Sequence, residues 1–467
     1  MARYDSFLTR REALKLAGMT LAGSLINGGA WPLNVRAAGK ANPLGTARYG
    51  IMIEMSGAMS PMDCWDFKET KWTAKDLEPQ KVWSDLTLSK TLFPKLIESK
   101  QMDRVSFVRS MRAKELVHFV GQYHVQAGRA QNVAVGKEIP AFGSVIAAEL
   151  DSQRRPSDTF PTYMSTALSR NRVGAIGSGF FPAQFSGMDL DPGIVFDIFG
   201  AKDDTADQEL QRRWQALMRL GEVSSADAGA LEDKGTEYGA FYDYSYRILR
   251  DPRWAKIFQV GDEEKKRYGN KPFGLGCILA KNLISADAGT RFVYISDTIG
   301  WDHHSYIFDR TKPSNHYVAA AQWDQGFTAL LEDLASMPGH APGKSLLDET
   351  LVVSSSEFGR MPYMNSVAGR DHYNQAFTSL LAGGGSKGRR VLGKTNEDGS
   401  KCIDTGWKDK KQPVLDNLVA TFYSTLGIDW KKSVAKTPSG RPYDYVQAAP
   451  IGSNEFISTD PFEDLFV

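Results

Sequence analysis

The chain has 467 residues, 42% hydrophobic and 24% charged, the composition of a globular protein with room for one large core or two ordinary ones. Its 56 basic and 55 acidic residues leave a formal charge of +1, which excludes a long-range field drawing it to nucleic acid or an anionic membrane. Cys64, Cys277 and Cys402 stand far apart without a CxxC pair, so a disulfide framework and a thiolate zinc site are excluded, and at most one disulfide can form.

In chain order, Thr9-Arg10-Arg11-Glu12-Ala13-Leu14-Lys15 places paired arginines ahead of a mildly apolar run from Leu16 to about Leu33. Small residues follow at Val35-Arg36-Ala37-Ala38. This pattern is similar to a twin-arginine export peptide covering 1–38, handled by the twin-arginine translocase, and it implies a periplasmic or secreted protein. No other segment approaches the ~18 apolar residues of a membrane span, so no stable membrane span is expected. The remainder, 42–467, reads as a single domain.

Tyr49 to Met55 reads as a strand, Trp83 to Lys100 as a helix, and Arg104 to Val108 as a strand again, which is βαβ grammar. Helices are expected from His118 to Gly128 and from Phe142 to Leu150, followed by a loop-rich insertion or cap around 154–204. Helical periodicity resumes at Asp207 to Leu220, Glu237 to Leu249 and Phe273 to Ala286, before a strand at Arg291 to Ile295. His316 to Ser336 carries an apolar helical face, Thr350 to Ser354 and Phe377 to Leu381 are strands, and Val414 to Leu426 is a last helix. Strands separated by crossovers of this length define an α/β fold with a mostly parallel sheet and helices on both faces. The apolar strands are each followed by polar residues: Ser56 to Asp66, Asp297 to His304, Glu357 to Arg360 and Gly383 to Lys387. Open α/β sheets bind ligands beyond the carboxyl ends of their strands.

Three blocks concentrate chemistry there: Gly300-Trp301-Asp302-His303-His304, Glu357-Phe358-Gly359-Arg360 and Gly369-Arg370-Asp371-His372-Tyr373-Asn374. Only seven histidines occur in the chain, and three stand in these blocks beside Asp302, Glu357 and Asp371, as metal-assisted hydrolysis would require. Gly383-Gly384-Gly385 lacks the Lys-Ser/Thr of a phosphate-binding loop and reads as a turn.

With Ser60-Pro61-Met62-Asp63-Cys64-Trp65-Asp66-Phe67-Lys68, Arg109-Ser110-Met111, Ser356-Glu357-Phe358-Gly359-Arg360-Met361-Pro362 and Ala382-Gly383-Gly384-Gly385, these blocks make a recognisable set. The chain resembles the domain-of-unknown-function 1501 family of exported bacterial proteins, distantly related to alkaline phosphatases and sulfatases. The resemblance implies an alkaline-phosphatase-like (sulfatase-like) sheet and one or two divalent metals, Zn, Mn or Ca, held by Asp302, His304, Glu357, Asp371 and His372. Arg360 or Arg370 would grip the anion of a sulfate or phosphate ester, small or borne on a polysaccharide. Ala127-Gly128-Arg129 resembles a sulfatase landmark, and nine positions before it stands His118 instead of a hydroxyl or thiol nucleophile. His118 is then a phosphoryl acceptor, a general base or a metal ligand. Glu54-Met55-Ser56-Gly57 lacks the paired aspartates of many relatives, with Asp63 or Asp66 as substitutes. A binding or assembly protein that retains the fold without turnover is the alternative reading.

Overall fold

A computed structural model describes residues 35–37, 41–199, 212, 215, 244–448 and 457–466. The expected export segment lies outside these apart from Val35–Ala37, and the helix expected over Asp207 to Leu220 apart from residues 212 and 215. The centre is an eight-stranded sheet of β1 (Tyr49–Glu54), β2 (Val105–Met111), β3 (Tyr163–Thr166), β4 (Met188–Leu190), β5 (Phe292–Ser296), β6 (Thr350–Ser355), β7 (Phe377–Gly383) and β8 (Arg390–Leu392). Their spatial order is β8-β2-β7-β6-β1-β5-β3-β4. Every pairing is parallel except the two made by β7, so β7 alone runs against the rest.

The central strands are continuously apolar because both faces are covered. Ile51, Ile53, Val293, Ile295, Val352 and Leu380 enter one core. Met52, Phe292, Tyr294, Leu351, Val353 and Leu381 enter the other, as a side-chain period of two dictates. The principal helices are α1 (Pro94–Glu98), α2 (His118–Ala127), α3 (Phe142–Leu150), α4 (Pro272–Ser285), α5 (His316–Ser336) and α6 (Leu415–Thr425). Residues of α4 and α5 fill the first core, and those of α3 and α6 the second. The α/β architecture with a mostly parallel sheet and two helical layers is therefore as the periodicity dictates.

Three local expectations change. The helix expected over Trp83 to Lys100 is a hairpin, Pro79–Trp83 with Leu86–Ser89, followed by the short α1. Leu86 and Leu88 are buried at strand spacing, and Pro94 sets the first turn of α1, so helical periodicity holds only from there. The loop-rich stretch 154–204 is no excursion from the sheet, since β3 and β4 lie in it and form one edge. Finally, because β7 is antiparallel, Gly383 to Gly385 lie at the end of the sheet opposite the loops that follow β1, β5 and β6, and a side chain at Gly385 would meet Thr46, ahead of β1.

Among the described residues no helix is long and apolar enough to cross a membrane. The three cysteines are free, and Cys64 lies instead 3.1 Å from His316 Nε2.

Candidate metal centre

The loops after β1, β5 and β6 meet at the carboxyl end of the sheet, where they are stitched by backbone bonds. Trp301 N–H donates to the Ser56 carbonyl (3.0 Å), and Arg370 N–H to the His303 carbonyl (3.0 Å). Two glycines permit the approach. Gly57 has φ 104°, and a Cβ there would stand 2.7 Å from Asp302 N; a Cβ on Gly369 would stand 2.0 Å from the His304 carbonyl carbon. Beyond β6, Gly359–Arg360 pairs antiparallel with His372–Tyr373, which sets Arg360 opposite His372.

This stitching brings one ligand atom each from His118, Asp302, His304 and His372 within 4.8 Å of one another. His118 is the first residue of α2, Asp302 and His304 stand on the loop after β5, and His372 on the short ribbon. His304 Nε2 lies 2.9 Å from His372 Nε2 and 3.1 Å from Asp302 Oδ1. His118 Nε2 is also 3.1 Å from Asp302 Oδ1, but without hydrogen-bond geometry, so it is buried and unpartnered.

The Nδ1 atoms face the other way, and each meets an acceptor. His118 Nδ1 donates to Glu357 Oε1 (2.7 Å), His304 Nδ1 to Asp371 Oδ1 (2.8 Å) and His372 Nδ1 to the Leu116 carbonyl (2.7 Å). A carbonyl and two carboxylates require the hydrogen on Nδ1, which leaves a lone pair on every Nε2 of the neutral rings. Arg360, donating to His304 Nε2 at 3.2 Å, demands the same tautomer. Three lone pairs and a carboxylate oxygen thus converge, and Arg360 donates to two of the four atoms, His304 Nε2 and Asp302 Oδ1. Oriented Nε2 donors backed by acceptors at Nδ1 are the arrangement of a histidine metal site, so the residues present fit the implied divalent metal.

Electrostatics agree. Burial opposes ionisation of Asp302, but the neighbouring His118 and His372 rings and the Arg360 guanidinium hold its carboxyl well below the usual range. Burial likewise opposes charge on Glu357, yet the His118 bond outweighs it and the carboxyl is lowered. For His118, burial favours the neutral ring, while the neighbouring carboxylates of Asp302 and Glu357 raise its pKa; a metal and a proton therefore compete for Nε2.

The structure changes several expected roles. Glu357 and Asp371 are not in the converging group; they stand one residue behind it as partners of His118 and His304. Glu357 also accepts from Gly57 N (2.9 Å) and Ser356 Oγ (2.9 Å), so its oxygens are already used. His118, expected as nucleophile or base with ligation left open, belongs to the group itself. Arg360 touches Asp302 at 2.5 Å, but its guanidinium is buried and also binds the carbonyls of Gly57, Ala58 and Arg370. Arg370 is removed from the site altogether: it is fully buried and ion-paired with Asp63 at 2.8 Å. Asp63 is thereby committed, and Asp66 is occupied by Lys68, Arg109 and Thr395. Glu54, at the end of β1, accepts from Tyr294 (2.7 Å) and Asn171 (3.0 Å), and burial, then the charge of Glu357, pushes its carboxyl well up.

Two contributors escape sequence reasoning. Arg172 donates to Asp302 Oδ2 (3.0 Å) and is exposed; it comes from the loop-rich stretch, where no motif marks it. Asn365 donates to the His304 carbonyl (2.9 Å) and to Asp371 Oδ1 (3.1 Å), fixing the pair.

Fold and cluster together define an α/β protein with a three-histidine, one-aspartate metal-type centre at the carboxyl end of its sheet. The chain belongs to the protein family of unknown function DUF1501, whose model matches residues 47–452. Among solved structures, it is similar to an alkaline phosphatase superfamily protein from Vibrio parahaemolyticus, at 11% identity and a TM-score of 0.33, over 90% of this chain and 76% of that one. It is also similar to the lipoteichoic acid synthase LtaP from Listeria monocytogenes, at 8% identity and a TM-score of 0.40, over 93% of this chain and 80% of the other. No protein of curated function matches the sequence.

Proposed function

We propose that the protein is an exported metal-dependent hydrolase of sulfate or phosphate esters, with the metal held by His118, Asp302, His304 and His372. The observation that carries this reading is the convergence of three Nε2 lone pairs on Asp302 Oδ1, each ring fixed from behind. Three imidazoles among four donors suit Zn, Mn or Fe and disfavour Ca, which takes oxygen ligands. Such an ion supplies Lewis acidity to an ester oxygen and to water. The side chains do the rest. Glu357 and Asp371 hold His118 and His304 in the ligating tautomer, and Arg360 anchors Asp302. With Arg370 buried, Arg172 is the guanidinium placed to grip an anionic oxygen by two hydrogen bonds. His118 occupies the position where the resemblance puts a nucleophile, so water is the nucleophile in this reading.

A second reading keeps the metal without turnover. Four protein donors equal the number in closed structural zinc sites. The exposure of His304, 44%, favours instead a coordination sphere open on one side. A panel of aryl sulfates and phosphate mono- and diesters, with added Zn, Mn or Fe, separates the two. The hydrolase reading predicts turnover that is lost in His304→Ala, and a KM raised about tenfold in Arg172→Ala for the loss of one charge-assisted anion contact. Turnover indifferent to both changes refutes this site, and no turnover on any ester returns the reading to the metal-retaining binding protein.

Export by the twin-arginine translocase to the periplasm rests on the paired Arg10 and Arg11, the apolar run from Leu16 to about Leu33 and the small residues that follow it. The Arg10→Lys/Arg11→Lys variant is expected to stay in the cytoplasm on cell fractionation, and undiminished export of that variant contradicts the reading.

A further inference from the structure

Ten large hydrophobic side chains are markedly exposed among the described residues, and six of them are Leu116, Val117, Phe119, Tyr306, Tyr363 and Val367. None is far from the centre along the chain or through its bonds. Leu116, Val117 and Phe119 flank His118, and the Leu116 carbonyl is the acceptor for His372. Tyr306 follows His304 by two residues, and its N–H donates to the Val367 carbonyl at 3.0 Å, joining the two loops that carry His304 and His372. Val117 is 59% exposed, and Tyr306 is 47% exposed at φ 51°, a left-handed conformation that bulky residues rarely adopt. Scattered single hydrophobics on a surface need no explanation, but a concentration around a polar centre marks an interaction site. At that centre Arg172 is an exposed cation, paired with Asp302 Oδ2 at 3.0 Å.

With the proposed divalent ion bound, the centre is cationic and set among apolar side chains, which complements a molecule with an anionic head and an apolar body. Resting on the anion-ester reading above, we infer that the substrate is amphiphilic: a sulfate or phosphate ester whose aryl or alkyl group lies on Val117, Phe119 and Tyr306. This narrows the range expected from the sequence to esters with an apolar aryl or alkyl body.

The test uses two sulfonates that cannot be hydrolysed, 2-naphthalenesulfonate and the polar 2-hydroxyethanesulfonate, titrated calorimetrically into the zinc-loaded full chain. The naphthyl compound is expected to bind at least tenfold more tightly. A Phe119→Ser/Tyr306→Ser variant, altered only at exposed positions, is expected to lose that advantage while keeping its affinity for the polar sulfonate. Equal affinity for the two sulfonates, or an advantage unchanged in the variant, overturns the amphiphile inference and leaves the anion site intact. Binding of both sulfonates that is unaffected by Arg172→Ala overturns the anion-site reading itself, and this inference with it.

Discussion

Arg360→Ala is expected to destabilise the protein by about 3–5 kcal/mol, the loss found when one partner is removed from a buried, hydrogen-bonded charged network. Its guanidinium binds the carbonyls of Gly57, Ala58 and Arg370 as well as Asp302, and so ties together the loops after β1, β5 and β6. Removing it strands three buried acceptors, each worth about 1–3 kcal/mol when left unpaired. Arg360→Lys is expected to recover little, because one ammonium cannot present donors in the planar fork that reaches these oxygens. Thermal unfolding of the metal-free protein reads the effect without the contribution of a bound ion. A midpoint unchanged in Arg360→Ala contradicts this account of how the loops are held.

Asp416 carries a comparable load away from the site. It is fully buried in the first turn of α6, where it accepts from Lys114 Nζ (3.0 and 3.1 Å) and His124 Nε2 (2.9 Å). Burial alone would raise its pKa, but Lys114 and then His124 outweigh this and lower it from 3.8 to about 2. A carboxyl whose folded pKa lies below its unfolded value stabilises the fold fully above the unfolded value. That contribution is lost as the pH falls from 3.8 toward about 2. Asp416→Ala is expected to cost about 3–5 kcal/mol at neutral pH, since Lys114 and His124 lose their buried counter-charge. The same substitution should flatten the acid limb of the stability curve in this window. A variant as stable as the parent at pH 7, or one with an unaltered acid limb, contradicts the assignment.

Much of the centre was legible because strand-end loops follow simple geometry. Asp302 and His304 stand on one strand-end loop and both reach the converging group, while the intervening His303 is buried. In the third block Asp371 and His372 are adjacent, yet only His372 belongs to the converging group, and Asp371 backs His304. Sequence gives the residue types near a strand end but not which carboxylate another donor has already claimed. That is why Glu357, bonded to Gly57, Ser356 and His118, looked like a ligand. Arg370 was misplaced for a related reason: its partner Asp63 lies over three hundred positions earlier, and only the assembled fold brings the two together. The antiparallel course of β7 is also silent in the sequence, since apolar runs buried on both faces look alike in either direction.

The proposed binding of one divalent ion by His118, Asp302, His304 and His372 is read out by elemental mass spectrometry of the purified full chain. About one equivalent of Zn, Mn or Fe is expected in the parent protein and none in a folded His304→Ala/His372→Ala variant. Metal absent from the parent after incubation with each ion, or retained in equal amount by the variant, would contradict it.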